Sequence, residues 1–372
     1  MTAKLKKYFP MIREKEEVLA EIRKYSTLHT KFKSWTPEQQ EEFLNLCTGV
    51  KGLKLLYDGF FKEIMNPEYV PKRLDDFLSH MLCQKVTILK VLPGDSTRIA
   101  DESSLLIMDI VVELEDRSIA NIEMQKIGYL FPGQRSACYS ADLLLRQYKR
   151  IKGETNKNFS YQDIKNVYTI VLFERSPKVF HTYPSHFYHF FEQKSDTGLE
   201  MELLQKYLFI PLDIFQKRQQ NESINNKRDA WLTLFSNDDP DTIIKLITDY
   251  PEFQEIYEEA YRICLNIERV MGMFSEELAV LDRNTVKYMI DEMQSEIDEQ
   301  KQTIDKQKYT IDEQSYAIKE QSQTIAKMQK EYHKSIANTI DILRSLNLSD
   351  AEIIACICDK YQMQESQVLP YL

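Results

Sequence analysis

The chain has 372 residues, enough for two or three domains with sizeable cores, and its formal net charge is −10. The acidic total argues against a simple basic nucleic-acid coat protein, and the low numbers of glycine (9) and proline (12) favour helix. Collagen-like, disordered, secreted and membrane classes are excluded, because no run approaches roughly 18 apolar residues and the charged start lacks a signal peptide's apolar stretch. Six scattered cysteines without a CxxC pair predict reduced thiols in a cytoplasmic protein.

Residues 1–45 are predicted to form a charged helical segment. Thr36 offers a capping hydroxyl, Pro37 suits the first position of a helix, and Glu38 and Gln39 follow. No pattern in this segment indicates a reaction.

Residues 46–225 carry five short β-rich runs, each of strand length and bounded by turn formers. A helical pattern over residues 134–151 lies between the third and fourth runs. This order of strand, hairpin, helix and strand predicts an α/β domain whose sheet is mixed rather than purely parallel. The five runs are residues 86–92, 105–114, 118–125, 167–173 and 207–212.

Helical periodicity dominates the rest of the chain. Residues 226–290 are predicted to form a helical subdomain, and residues 336–372 a small helical tail in which Ser349 and Glu352 form a capping box. Between them, residues 291–335 repeat isoleucine every seven positions, with glutamine three residues later. This pattern predicts a coiled coil with a half-polar core that joins copies of the chain into a homo-oligomer; a solvated single helix is the alternative. The repeated positions are Ile297, Ile304, Ile311, Ile318 and Ile325, with Gln300, Gln307, Gln314 and Gln321.

The second and third runs carry the most informative polar residues. Asp109 lies in an apolar run, where a charge is costly unless it is paired or bound to a metal. A hairpin centred on Asp116 places Asp109 nearly opposite Glu123, and strand alternation puts Glu123 and Gln125 on one face. Two facing carboxylates repel unless a cation lies between them, and oxygen ligands suit Mg²⁺ or Mn²⁺. A metal site is therefore one interpretation of this pattern.

The competing interpretation is an amphipathic hairpin with a solvated polar face. We adopt it for the charged residues nearest the turn, which are Glu113, Glu115, Asp116 and Arg117. No GxSxG, Walker or dinucleotide-binding glycine motif is present, so the sequence does not favour a hydrolase triad, an NTPase or a Rossmann enzyme.

The hairpin resembles the PD-(D/E)XK nuclease pattern, with glutamine in the lysine position. It has an acidic residue, then a strand turn, and then E-x-Q on the next strand. The surrounding segments resemble, in order, one branch of this superfamily: the Rpn family of recombination-promoting nucleases, also described as PD-(D/E)XK family transposases. The resemblance covers most of residues 50–372. It implies a restriction-endonuclease-like α/β core with a mixed central sheet, followed by a helical subdomain, a coiled coil and a helical tail. The segments that carry it are 57–65, 73–82, Asp109 with its flanks, 121–125, 135–148, 167–173 and the Trp231 helix.

The resemblance also implies roles for individual residues. Asp109 and Glu123 correspond to the metal-binding carboxylates, and Gln125 stands where the wider superfamily has a lysine that orients water or the scissile phosphate. Asp58 resembles the N-terminal acidic position of the family. Glu63 and Asp75 compete for that role, and the sequence does not choose between them.

Two further residues match the R-x-x-x-Y that follows the E-x-Q strand in the family. Arg135 and Tyr139 are four positions apart, so on a helix they share a face. A guanidinium and a phenol placed there could contact a phosphate. The alternative is an ordinary surface arginine beside a packed tyrosine.

One departure from the superfamily pattern concerns charge, because the amide of Gln125 cannot supply the positive charge of a lysine. Lys126 is expected to point to the opposite strand face. Residues 125–194 nevertheless hold eleven basic and five acidic residues, a net charge of +6 that favours a phosphate backbone.

Two functional hypotheses follow. The first is a cytoplasmic, Mg²⁺-dependent DNA endonuclease of the recombination-promoting type, with RNA as a weaker alternative substrate. The second is a catalytically degenerate nuclease core that acts as an oligomeric binding or scaffold protein.

Overall fold

The computed structural model describes residues 4–94, 109–127, 133–155, 158–219 and 223–372. They form two compact units, within residues 1–291 and 292–372; the finer five-part division stays a prediction. The helices of the first unit precede, connect and follow the strands of one sheet. They are α1 (Lys15–Lys24), α2 (Ser26–Ser34), α3 (Pro37–Cys47), α4 (Asp58–Ile64), α5 (Pro71–Met81), α6 (Gly133–Thr155), α7 (Leu212–Gln219), α8 (Lys227–Ser236), α9 (Pro240–Asp249) and α10 (Glu252–Ile263).

The described strands form one six-stranded sheet. The sheet is mixed, as the sequence predicts. They are β1 (Ile88–Leu92), β2 (Ile110–Leu114), β3 (Ile119–Ile127), β4 (Val167–Arg175), β5 (His189–Phe191) and β6 (Gln205–Pro211). Their order across the sheet is β1-β2-β3-β4-β6-β5. β3, β4 and β6 run parallel, whereas β2 pairs antiparallel with β1 and β3, and β5 with β6. The short edge strand β5 is not among the predicted runs, and residues 105–108 of the second run lie outside the described residues.

The β2–β3 hairpin has the register that its turn predicts. Ile110 pairs with Ile122, as a hairpin centred on Asp116 requires. The Asp116 Oδ1 accepts hydrogen bonds from the backbone N–H and the hydroxyl of Ser118, at 2.9 and 2.5 Å. An aspartate that bonds its own backbone two residues ahead is a standard way of closing a turn. The turn therefore determines which residues of the two strands face each other.

Both faces of the sheet are covered. One face of the β2–β3 hairpin packs against α6 through a small cluster, and the other faces the large core that the helices of the first unit complete. The cluster under α6 consists of Val111, Ile119, Tyr139, Leu143 and Val167. Alternation along β2 and β3 consequently puts Asp109, Glu113 and Glu123 on the α6 side.

The prediction that Glu113 faces solvent is wrong. Glu113 is fully buried, and its carboxylate lies 3.1 Å from a nitrogen of Lys90, of Arg117 and of Arg150. The three cations come from β1, from the hairpin turn and from α6. The hairpin sequence does not reveal that α6 covers this face, and a buried carboxylate needs such partners because burial without them is costly.

We expect the Glu113→Gln variant to lower the free energy of unfolding by about 2–3 kcal/mol, because it leaves three cations without their shared carboxylate. Urea unfolding monitored by circular dichroism measures the change. The control is Glu115→Gln, at an exposed carboxylate two residues along, which should stay within about 0.5 kcal/mol of wild type. Equal effects of the two variants would contradict the prediction.

The second unit begins within α11 (Ile267–Ser345) and ends with α12 (Asp350–Tyr361) and α13 (Glu365–Val368). The last turns of α11 pack against α12 and α13, and the predicted Ser349–Glu352 capping box starts α12. The buried residues of this small core are Ile336, Ile340, Ile353, Ile357 and Val368. Among the described residues no helix has the length and apolarity to cross a membrane. All six cysteines carry free thiols.

Candidate active site

The candidate residues lie where three elements of the first unit meet. β2 begins next to the point where β3 ends, because the two strands are antiparallel. α6 starts a few residues after β3, so its first turns lie beside the same end of the sheet. α4 carries the acidic candidate from the N-terminal part of the chain.

Asp109 is held at the start of β2 by backbone and charge contacts. Its Oδ2 accepts a hydrogen bond from the Met124 backbone N–H at 2.9 Å, and Lys62 Nζ lies 3.6 Å from its Oδ1. Burial raises the pKa of Asp109 and the nearby Asp58 charge adds to the rise, whereas the Met124 hydrogen bond and the Lys62 charge oppose it. The carboxylate therefore pays a desolvation cost that these contacts only partly offset.

Glu123 is the more deeply buried of the two hairpin carboxylates, with 5% of its surface exposed. Its Oε1 accepts a hydrogen bond from Asn121 Nδ2 at 2.9 Å. Burial raises its pKa to about 7, and the Asp109 charge contributes to the rise, whereas Asn121 and the Arg135 charge oppose it. The hairpin register, continued one pair beyond Ile110 and Ile122, sets Asp109 opposite Glu123. The Asp109 charge thus disfavours ionisation of Glu123.

The three acidic candidates from the N-terminal part of the chain have different partners. Asp58, at the start of α4, accepts a hydrogen bond from Lys62 Nζ at 2.9 Å, and the same ammonium faces Asp109. Glu63 instead forms an ion pair with Arg269. Asp75 accepts a hydrogen bond from the Ile88 backbone N–H at 2.7 Å. Of these three, Asp58 is the one that joins the cluster around Asp109.

A buried ion pair fixes the start of α4, and with it Asp58. The Glu277 carboxylate of α11 accepts a hydrogen bond from the Asp58 backbone and lies 3.0 Å from Lys126 Nζ. Lys126 also lies 3.7 Å from Glu174 and 4.6 Å from the centre of the Tyr57 ring. A carboxylate at the first turn of a helix is favourable, because the backbone N–H groups there lack partners within the helix.

These contacts confirm that Lys126 points away from the candidate site. Its ammonium is engaged on the α11 side of the sheet, whereas Gln125 shares the strand face of Asn121 and Glu123. Gln125 pairs in register with Phe173 of β4. The amide that replaces the superfamily lysine is therefore on the predicted face, but Lys126 does not restore the missing charge there.

Arg135 and Tyr139 lie on the side of α6 that faces the hairpin. Arg135 Nε donates to the Tyr139 hydroxyl at 2.9 Å, and the tyrosine is 3% exposed whereas the arginine faces solvent. Burial raises the pKa of Tyr139, the Glu123 charge adds to the rise, and the Arg135 charge opposes it. Both residues are thus electrostatically coupled to Glu123, which the i and i+4 spacing alone does not show.

Part of the positive field predicted around α6 is neutralised within the fold. Arg146 lies 2.6 Å from Asp142 and donates to the Pro93 carbonyl, while Arg150 faces the buried Glu113. Lys149 and Lys152 stay exposed on α6, and Lys157 lies outside the described residues. The net charge of +6 therefore overstates what a bound phosphate backbone would meet.

The donor set of the hairpin fits a hard divalent ion in chemistry and in electrostatics. Two carboxylates of raised pKa lie side by side in a partly desolvated position, where a cation would relieve both burial and repulsion. Carboxylate oxygens are preferred ligands of Mg²⁺ and Mn²⁺. In the described part of the chain, no group of three or more His, Cys, Asp or Glu residues is arranged to hold a metal ion. Water and substrate oxygens would complete the coordination.

Two residues of this cluster are not among the predicted site residues. Lys62 bridges Asp58 and Asp109, and Asn121 donates to Glu123. Each has a weak sequence signal: Lys62 follows Asp58 by one helical turn, and Asn121 precedes Glu123 by one strand period. Such spacings occur on any helix or strand, so they do not single out these residues.

A comparison of the sequence with protein-family models gives one match. The model described as PD-(D/E)XK nuclease family transposase matches residues 55–288, more than half of the chain, from just before α4 into α11. Neither the comparison with curated proteins nor the comparison with solved structures gave a significant match.

Proposed function

The chain belongs to the PD-(D/E)XK nuclease family of transposases, and we propose on this basis that it is a divalent-metal-dependent DNA endonuclease. The observation that carries the proposal is the coupled pair of Asp109 and Glu123, both with raised pKa, at the adjoining ends of β2 and β3. Mg²⁺, or Mn²⁺ in its place, is the ion we assign. The six free thiols support a cytoplasmic location.

The contacts support a distinct role for each residue. Asp109 and Glu123 would hold the ion. Asp58 is favoured as the N-terminal acidic residue over Glu63 and Asp75, whose carboxylates have other partners. Gln125, on the strand face of Glu123, orients the attacking water through its amide. A bound divalent ion would polarise that water and neutralise charge on the phosphate.

Hydrolysis of the phosphodiester forms one bond and breaks another, and neither bond involves the protein. The water oxygen forms a bond to phosphorus while the bond from phosphorus to the leaving sugar oxygen breaks. Water gives up a proton to the solvent, and the leaving oxygen takes one up. Arg135, exposed and next to the carboxylates, binds a non-bridging phosphate oxygen, and Tyr139 holds the guanidinium in place by the hydrogen bond to Arg135 Nε.

A plasmid-nicking assay tests the proposal. Wild-type protein should convert supercoiled DNA to nicked or linear forms with Mg²⁺ or Mn²⁺ and not with EDTA, and a labelled RNA in parallel tests the weaker alternative substrate. DNA binding without cleavage at any metal concentration would contradict the proposal. It would favour the degenerate nuclease core acting as a binding or scaffold protein.

The proposal includes self-association through residues 291–335. Five isoleucines at the seven-residue spacing lie on one stripe of α11, and each is more than half exposed in the single chain. Such a stripe matches a second copy of itself in a coiled coil, because both partners present knobs at the same spacing. Glutamine at the companion positions weakens this association relative to leucine.

We expect the double variant Ile304→Lys and Ile311→Lys to be monomeric at concentrations where the wild-type full-length chain is oligomeric, as measured by light scattering. Charged residues in the seam would be desolvated by association. Tyr309→Lys with Tyr316→Lys is the matched control, since both tyrosines are exposed on α11 but off the isoleucine stripe. A wild-type monomer, or equal effects of the two double variants, would count against the oligomer.

A further inference from the structure

Strand β3, which carries Glu123 and Gln125, has glutamine where the wider superfamily has its lysine. Gln125 has no charge, and the ammonium of Lys126 is engaged by Glu277 and Glu174 on the other face of the sheet. The phosphodiester gains negative charge in the transition state, so a site of this kind benefits from a fixed cation. Such a cation has to come from another element.

α4 provides a cation at the required place. Lys62 Nζ lies 2.9 Å from Asp58 Oδ2 and 3.6 Å from Asp109 Oδ1. The helix is anchored by Phe60, Phe61 and Ile64, which are almost fully buried in the large core. The Lys62 side chain itself is 44% exposed, so its ammonium faces both the carboxylates and solvent. A bound DNA backbone would approach from that solvent side.

Arg135 is another cation near the carboxylates, but it occupies a different position from Lys62. Arg135 is tied to the Tyr139 hydroxyl and its charge acts mainly on Glu123. Lys62 instead contacts the carboxylates of Asp58 and Asp109. An ammonium carries three donors, so two carboxylate contacts leave one for a substrate oxygen.

We propose that Lys62 is a catalytic residue that supplies the positive charge absent at position 125. In the free protein it neutralises Asp58 and Asp109, and with metal and DNA bound its ammonium contacts an oxygen of the reacting phosphate. It acts as a charge and transfers no proton, so it does not alter which bonds form and break during hydrolysis. This inference rests on the proposed nuclease function.

The test compares the full-length Lys62→Gln and Lys62→Arg variants with wild type. The control is Lys72→Gln, which removes the same charge at an exposed position of α5. Three quantities are measured: the single-turnover cleavage rate with Mg²⁺, the Kd for Mn²⁺ without DNA, and the Kd for a DNA duplex in Ca²⁺. Thermal unfolding shows whether each variant is folded.

For Lys62→Gln we expect cleavage to fall about 100-fold or more, which is the usual cost of removing one transition-state donor. Mn²⁺ binding should be unchanged or tighter, because the ammonium no longer competes for Asp58 and Asp109. Lys62→Arg should retain cleavage within about tenfold of wild type, since a guanidinium keeps the charge. Lys72→Gln should retain cleavage within about twofold of wild type, since it removes a charge at an exposed position of α5.

Two results would overturn the inference while leaving the nuclease proposal standing. One is cleavage by Lys62→Gln within threefold of wild type. The other is a loss of Mn²⁺ affinity as large as the loss of cleavage, which would make Lys62 a residue that organises the metal site. Absence of metal-dependent cleavage by the wild type would instead defeat the proposed function and this inference with it.

Discussion

Replacing Asp109 by Asn, or Glu123 by Gln, is expected to reduce metal-dependent DNA cleavage by about a thousandfold or more. Each amide keeps the shape of the side chain but removes one of the two charges that would hold the ion, and with it the stabilisation of the reacting phosphate. Both variants should fold, because the two carboxylates are desolvated and repel each other in the wild type. Single-turnover cleavage of a labelled duplex in Mg²⁺ measures the effect.

Direct titration with Mn²⁺ separates this explanation from a structural one. The affinity should fall sharply in both variants, and it should not change in Glu115→Gln, which alters an exposed carboxylate near the hairpin turn. Retained cleavage in either Asp109→Asn or Glu123→Gln, within tenfold of wild type, would show that the hairpin carboxylates are not the metal ligands.

The second large effect concerns pH. In EDTA, wild-type stability is expected to fall by about 3 kcal/mol relative to the Glu123→Gln variant as the pH rises from 4.5 to 7 and beyond. The pKa of Glu123 rises from its ordinary 4.5 to about 7 on folding, so in this interval the native state keeps a proton that the unfolded chain releases. The penalty starts near pH 4.5 and is complete above pH 7. Urea unfolding of both proteins across this range measures the difference.

The same titration controls metal binding. An ion needs the ionised carboxylate, so the Mn²⁺ affinity of the wild type should increase about tenfold per pH unit below pH 7 and level off above it. Saturating Mg²⁺ should remove the stability penalty at pH 8 in the wild type but have little effect on Glu123→Gln. Unfolding free energies of the two proteins that stay parallel between pH 4.5 and 8 would refute the prediction.

Several features of the site follow from short-range sequence patterns. The turn at Asp116 sets the hairpin register, and the alternation of a strand then determines which side chains share a face with Glu123. Lys126 is excluded from that face for the same reason. These predictions succeed because the interactions behind them lie within a few residues of each other along the chain.

Other features depend on elements that are distant in sequence. The choice between Asp58 and Glu63 depends on contacts with distant parts of the chain. Arg269 engages Glu63, whereas Asp58 binds Lys62, which also faces Asp109. The position of Lys62 between Asp58 and Asp109 likewise requires α4 to pack beside the start of β2.

The amino-acid sequence by itself determined the β2–β3 hairpin, its facing carboxylates, the mixed sheet and the heptad spacing of α11. Only the tertiary structure decided that α6 buries Glu113 among three cations, that Glu277 anchors the start of α4, and that Lys62 lies beside Asp109. The physical reason is that turn closure and side-chain alternation act over a few residues. Burial, pKa shifts and ion pairing depend on which distant elements pack together.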